Sequence, residues 1–369
     1  MNIIIYTVLS NLILRGRNAV NVKVNIVTSS EFPYEIKVMV ENLNIPWAIA
    51  ISDEGKVYFT ERSGAIRLIE EGKLNPQPLI TFVTPFVSQG EGGLMGIALD
   101  PNYSQNHYMY VMHSYREGFQ IYNRIVRLVE QNNKAYIDRV LLDKIPGGRI
   151  HNGGRLKIGP DQRLYITTGD AGNSALAQDP TSTAGKILRI ELDGGIPEDN
   201  PFPNSPVYSL GHRNPQGLTW NQENILYASE HGQTAHDEIN IIQPGANYGW
   251  PLVQGDEDSS QIEIQKPLIH SGEDTWAPSG ITFSNQGPWK EKLLVAALRG
   301  EQLLTISLNE KGTEVQNVES WLRNEYGRLR EVIQAKDGSI YITTSNMDGR
   351  GVPDRSDDKI IKLIPKVDS

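Results

Sequence analysis

The chain has 369 residues, with 35 Lys and Arg against 44 Asp and Glu, a formal net charge of −9. Gripping nucleic acid or an anionic membrane surface needs a basic face, and this balance argues against both. A hydrophobic fraction of 38% suffices for a large core, and the absence of cysteine removes disulfide scaffolds, thiol nucleophiles, iron–sulfur clusters and cysteine-bound zinc.

The chain opens on an apolar run, Ile3 to Leu14. It is shorter than the roughly 20 residues a membrane-spanning helix needs. No basic residue precedes it and no clear small-x-small cleavage site follows, so residues 1–30 read as an N-terminal tail, a degenerate export signal or a strand. From there to residue 369 one unit recurs: two alternating apolar runs around a turn rich in Asp, Gly, Pro or Asn, which is the hairpin pattern. It stands at 48–60, 96–114, 156–170, 218–230, 281–297 and 332–345. A short strand follows each copy, at 65–70, 124–130, 186–192, 238–242, 303–308 and 359–364.

The central residues Tyr58, Tyr110, Tyr165, Tyr227, Leu294 and Tyr341 are 52, 55, 62, 67 and 47 residues apart. That is the length of a four-stranded propeller blade with variable loops. No ten-residue stretch keeps a 3.6-residue period, so helices should be few and short. The expectation is an all-β fold, a six-bladed β-propeller over residues 31–369, with the strand at 35–41 joining 359–364 to close the ring. Two stacked β-sandwiches are the alternative.

A propeller gathers loops from distant blades at one mouth, so unusual residues at equivalent junctions are informative. His151 precedes the third hairpin and is a candidate general base. Arg213 and Asn214 sit at the same junction of the fourth. The loop 230–240, with Glu230, Asp237 and Glu238, offers oxygens for a hard cation. Arg299 follows the fifth hairpin, and Arg328 and Arg330 precede the sixth. Facing one channel, these arginines with Arg213 would bind a multiply anionic ligand. Trp276 precedes the fifth hairpin and could stack on a flat ligand or pack the rim. The glycine-rich stretch 90–96 lacks the third glycine and the helix of a dinucleotide loop, and no phosphate-loop, zinc-protease or serine-hydrolase motif appears.

Taken together, EGGLMGIALDP (91–101), HNGGRLKIGPDQRLYITTGD (151–170), GKILRIELDGGIPEDNP (185–201), GHRNPQGL (211–218), SEHGQTAHDEINII (229–242) and GANYGWP (245–251) carry a resemblance. WAPSG, ALRG and GRLRE follow in the same order. The chain resembles the soluble quinoprotein glucose dehydrogenases, and within them the aldose sugar dehydrogenases, which use pyrroloquinoline quinone (PQQ) and calcium. The resemblance implies oxidation of the anomeric C1 hydroxyl of an aldose to a lactone, with electrons passed to an external acceptor.

It also implies roles. His151 matches the base, and Arg213 and Asn214 match the pair beside the reactive quinone carbonyl. Arg299 stands where the family has a cofactor-binding Lys, Arg328 and Arg330 match a carboxylate-binding pair, and Trp276 matches an aromatic at the cofactor plane. Glu91 occupies a cofactor-contact position where many members have Gln. Gly232 and Gln233, the latter usually Pro in the family, match carbonyl ligands of the cofactor's calcium. Glu238 and the Tyr248 carbonyl match a second, structural calcium site. Ile150 replaces an Asp of the glucose-specific branch, which fits the aldose branch better. The family further implies a periplasmic or extracytoplasmic location; a monomer or homodimer is the expectation for assembly, which the sequence itself does not reveal. A calcium-dependent propeller lactonase and a non-catalytic binding propeller are the competing classes.

Overall fold

The computed structural model describes residues 24–26 and 32–366. Each repeat folds as its alternation dictates. In the third, Leu156–Ile158, Leu164–Thr168, Lys186–Ile190 and Val207–Leu210 hydrogen-bond in sequence order as an antiparallel sheet. Six such sheets follow one another around an axis, making the expected six-bladed propeller. The helices are two four-residue turns, Tyr103–Asn106 and Ala175–Gln178.

The first strand of each blade lines the axis: Pro46–Ile51, Leu94–Leu99, Leu156–Ile158, Pro215–Trp220, Pro278–Phe283 and Leu329–Gln334 in blades one to six. These strands approach closely. A Cβ on Gly96 would lie 2.3 Å from the Gly154 carbonyl oxygen, and one on Gly217 would lie 2.3 Å from that of Ser279. Only glycine lets backbone meet backbone at such points. Between the blades the apolar faces interlock, as with Leu94, Ile97, Val111, Ile125, Leu156 and Ile166, all buried in one cluster. Each such side chain contributes roughly 1.5–3 kcal/mol by leaving water.

The ring closes as expected: Tyr34–Val40 pairs antiparallel with Ile360–Pro365 in blade six. Such closure removes the open sheet edges that invite aggregation. Within the segment read as a tail, Val24–Ile26 adds a parallel strand to Val315–Trp321, the outer edge of blade five. The apolar run Ile3 to Leu14 lies outside the described residues. Among the described residues, no helix is long and apolar enough to cross a membrane.

Two repeated devices aim side chains at one face. In five blades the pairing of the first two strands slips as the inner strand begins, between Pro46 and Ala48, Leu94 and Ile97, Pro215 and Gly217, Pro278 and Ile281, and Leu329 and Glu331. Bulges of this kind bend a strand and re-aim its side chains. The second device is an acid at the end of the second strand, which accepts from the loop entering the inner strand. Glu61 takes the Asn44 N–H at 2.7 Å, Asp170 takes the His151 ring at 2.7 Å, and Glu230 takes the Arg213 N–H.

Candidate active site

Where the inner strands begin, a cavity of about 260 Å³ opens at the axis. Its wall includes Arg62, Arg149, Arg328, Arg330 and Arg350 against two carboxylates, Glu91 and Asp348. Five cations against two anions leave a surplus of three positive charges, in a chain whose net charge is −9. Such a surplus in a confined space is an anion trap.

Arg328, just before the inner strand of blade six, and Arg330, at its bulge, converge on Asp348. Asp348 Oδ2 accepts from Arg328 Nε at 3.1 Å, Arg328 Nη2 at 3.0 Å and Arg330 Nη2 at 3.4 Å. Arg330 Nε donates to Ser345 Oγ at 3.0 Å. Burial pushes the Arg330 guanidinium down to about 10, against the pull of Asp348. Burial alone would raise the Asp348 carboxyl, but Arg330 and Arg328 hold it below the usual carboxylate range. With Nε and Nη2 engaged, Nη1 of each arginine has no hydrogen-bond partner among the described residues and remains for a ligand. Arg62, whose guanidinium burial also lowers, keeps a buried Nε with no hydrogen-bond partner among the described residues. Arg213 Nε is in the same position. Unmet buried donors are costly, and an anionic guest would satisfy them.

His151 belongs to the wall segment 149–153, which leads from blade two into blade three. Its Nδ1 lies 2.7 Å from Asp170 Oδ1. Asp170 also accepts the Gly172 N–H at 2.8 Å and the Trp250 indole N–H at 2.9 Å. Burial would raise the Asp170 carboxyl, but the His151 ring and these donors hold it low. The ionised acid therefore keeps the proton on Nδ1 and leaves Nε2 as the free acceptor, the arrangement a general base needs. The His151 side chain is 14% exposed.

Arg213 lies beside this dyad. Its Cζ sits 5.3 Å from the Trp250 ring centroid, its carbonyl accepts the Asp170 N–H at 2.9 Å, and burial lowers its guanidinium pKa. Asn214 lines the cavity, its amide oxygen taking the Gly153 N–H at 3.1 Å and Gln216 Nε2 at 3.0 Å. Glu91 also lines it, bonded to the His151 N–H at 2.8 Å and Arg350 at 2.7 Å. Arg299 is exposed beside the cavity-lining Leu298. Trp276 does not line the cavity: it is buried with Ile239, Ile281 and Val295 between blades four and five. Trp47 is the aromatic at the wall, with Arg330 Cζ 5.6 Å from its ring centroid.

The loop holding Gly232 and Gln233 is pinned by Asp237, which accepts the Gly232 N–H at 3.0 Å and the Trp276 N–H at 2.7 Å. Neither the Gly232 nor the Gln233 carbonyl accepts a hydrogen bond among the described residues. Among those residues, no group of three or more His, Asp or Glu side chains could hold a metal ion, so a cation here would depend on such carbonyl oxygens. Glu238 is different. Burial, reinforced by Glu230, pushes its carboxyl up to about 8, although Asn240 Nδ2 at 3.0 Å and the Gly255 N–H at 2.9 Å favour its charged form. A half-buried carboxylate without a counter-charge fits a cation site. Nearby, Tyr248 stacks on His212 at 4.6 Å and donates its hydroxyl to the Ile241 carbonyl, leaving its own carbonyl unbonded among the described residues.

Sequence reasoning did not single out Asp170, Trp250, Arg62, Arg149, Asp348 or Arg350. Asp170 had a legible signal, since Glu61, Asp170 and Glu230 all stand at or just past the end of the second strand of their blades. The others were isolated arginines, an acid and a tryptophan with no local pattern.

Comparisons with known proteins agree with this geometry. A sequence profile described as Glucose / Sorbosone dehydrogenase matches residues 43–355. The aldose sugar dehydrogenase YliI of Escherichia coli is 30% identical over 360 residues, covering 90% of this chain and 93% of that protein. The quinoprotein glucose dehydrogenase B of Acinetobacter calcoaceticus is 35% identical over 314 residues, covering 72% of this chain and 64% of that one. The PQQ-bound form of an aldose sugar dehydrogenase from Streptomyces coelicolor superposes with a TM-score of 0.82 at 38% identity, covering 90% of this chain and 98% of that chain.

Proposed function

We propose, for a chain that belongs to the Glucose / Sorbosone dehydrogenase family, that it is a PQQ-dependent quinoprotein that oxidises the anomeric C1 hydroxyl of an aldose to the lactone. The observation that carries this reading is the cavity with three surplus cations abutting a histidine whose Nε2 is open. The charge suits a flat polycarboxylate, and the imidazole suits proton removal.

The chain's own parts divide the work. His151 Nε2 takes the proton of the C1 hydroxyl as C1 gives up its hydride, and Asp170 stabilises the imidazolium that results. Arg328, Arg330 and Arg62 hold carboxylates, with Arg299 at the rim. Arg213 and Asn214 supply a cation and an amide beside the reacting centre, where developing negative charge needs donors. Bound there, PQQ would supply the two-electron acceptor for the hydride, with a calcium ion on the Gly232 and Gln233 carbonyls as the polarising Lewis acid. Glu238 and the Tyr248 carbonyl would hold a second, structural calcium. Ile150, 40% exposed at the wall beside the base, gives no carboxylate to a sugar hydroxyl and suits a broad aldose specificity. Electrons leave to an external acceptor, and an extracytoplasmic location belongs to the same proposal.

The test is reconstitution. Protein stripped with a chelator regains sugar-dependent dye reduction only when both PQQ and calcium are returned. Recovery with NAD, or with calcium alone, overturns the reading.

A further inference from the structure

We propose that Glu91 and Arg350 are positioning residues: together they fix the backbone N–H of His151, and through it the imidazole, while Asp170 holds the ring. The inference rests on His151 being the base and adds what holds it there.

His151 has φ +54, the left-handed region that residues with a Cβ rarely adopt. Such a conformation is strained and persists only when its surroundings over-determine it. Asp170 grips the ring, and the Ala171 N–H donates to the His151 carbonyl at 3.0 Å, which leaves the His151 N–H to be held. Glu91 supplies the second grip, its Oε2 accepting the His151 N–H at 2.8 Å. The grip is itself anchored, because the Glu91 N–H donates to the Arg149 carbonyl at 2.8 Å. The two segments meet so tightly that a Cβ on the neighbouring Gly90 would come 2.1 Å from the Arg149 carbonyl oxygen.

The other oxygen, Glu91 Oε1, pairs with Arg350 Nη2 at 2.7 Å. Arg350 sits on the turn after the second strand of blade six, where Asp348 Oδ1 accepts its N–H at 2.9 Å. The turn's start is held in turn, since Asp358 accepts the N–H of Asn346 at 2.6 Å. The base is thus set by three loops: 89–91 on its N–H, the segment after the second strand of blade three on its ring and carbonyl, and the blade-six turn behind Glu91.

The pairing also settles how a carboxylate can line an anion cavity. A lone Glu91 charge would repel a carboxylate ligand. Arg350 neutralises it, and both oxygens are committed to the protein. Glu91 therefore acts on the base and not on the cofactor, a different role from the cofactor contact expected from the resemblance.

Three variants separate these roles: Glu91→Ala, Glu91→Gln and Arg350→Ala. Three quantities are read: kcat at saturating PQQ, PQQ affinity of the apoprotein by tryptophan-fluorescence titration, and amide hydrogen exchange across 149–153. Glu91→Ala is expected to lower kcat on the order of 10²-fold and speed exchange at 149–153, with PQQ affinity in the wild-type range. Glu91→Gln keeps an amide oxygen for the His151 N–H and should restore most of the turnover. Arg350→Ala should shift kcat and exchange in the same direction by less. Weakened PQQ binding in Glu91→Ala with kcat at saturation and exchange unchanged overturns the inference, as does unchanged behaviour throughout. A wild-type protein that oxidises no aldose with PQQ and calcium would sink the functional reading instead, and the exchange measurement would still test what holds the loop.

Discussion

Blades three and four each hang a histidine on a carboxylate at the same separation. His151 Nδ1 lies 2.7 Å from Asp170, and His212 Nδ1 lies 2.7 Å from Glu230. Glu230 ends the second strand of its blade and Asp170 lies two residues past the end of its own, and both histidines sit in the loop entering the inner strand. The pairs differ at the far nitrogen. His212 Nε2 meets Ser209 Oγ at 2.8 Å, and the ring is fully buried against Tyr248. His151 Nε2 has no such partner among the described residues, and its chain neighbours Ile150 and Asn152 line the arginine cavity. The dyad is therefore a loop-holding device of the blade, and chemistry arises where one copy is left open beside a surplus of charge.

The sharpest way to break this comparison is to make the same change at both sites. His151→Gln should lose about 10²–10⁴-fold in kcat, the usual cost of removing a general base, while still binding PQQ. His212→Gln should lower the melting temperature and leave kcat per folded molecule near wild type. Near-wild-type turnover in His151→Gln, measured by dye reduction, would remove the distinction between the two pairs.

Buried arginines sharpen the same contrast. Arg155 is 1% exposed and paired with Glu331, donates Nε to the Gln216 carbonyl at 2.9 Å, and lies over Trp47 at 4.4 Å. The Arg155 charge has its counter-charge in Glu331 and is sealed from the cavity, although its Nη2 makes no hydrogen bond among the described residues. Glu331→Gln should cost about 3–5 kcal/mol in denaturant unfolding, because it strands a buried cation. Asp348→Asn should cost less, since an added polyanion such as citrate can replace the lost charge at Arg328 and Arg330. A citrate-dependent rise in melting temperature for Asp348→Asn, absent for Glu331→Gln, is the expected signature.

How far the sequence reaches follows from the range of each interaction. The blades were legible because alternation and turn chemistry are local, and the spacing of Tyr58, Tyr110 and Tyr165 repeats them. The strand at 34–40 could be assigned to the last blade because a ring must close. His151, Arg213 and Arg328 stood out by their place at junctions. Asp348 and Arg350 did not, since their meaning lies in contacts across the axis: Arg350 reaches Glu91 over 259 positions of chain. Trp276 and Trp47 make the same point. Both are tryptophans near an inner strand, and only the packing of neighbouring blades sends one into a core and the other to the wall.

A third histidine, sealed and without a carboxylate, completes the series. His113 lies in the second strand of blade two, fully buried beside Phe82 at 4.7 Å and Phe86 at 5.8 Å. Its Nδ1 lies 3.0 Å from the Ser114 carbonyl oxygen and its Nε2 accepts Arg124 Nε at 3.2 Å, so the neutral Nδ1–H tautomer satisfies both neighbours. Burial pushes its pKa down to about 4, with Arg124 adding to the fall and the Ser114 carbonyl and Asp143 opposing it. The unfolded chain takes up this proton near pH 6.5, whereas the folded protein resists until about pH 4. Stability from this group is thus fully present above pH 6.5 and is lost as pH falls through that window, by up to about 3 kcal/mol. His113→Phe should lower stability at pH 7, because Arg124 loses its acceptor, yet flatten the decline between pH 6.5 and 4. Urea unfolding at several pH values reads the slope, and an unchanged slope would mean that His113 is not held neutral by its burial.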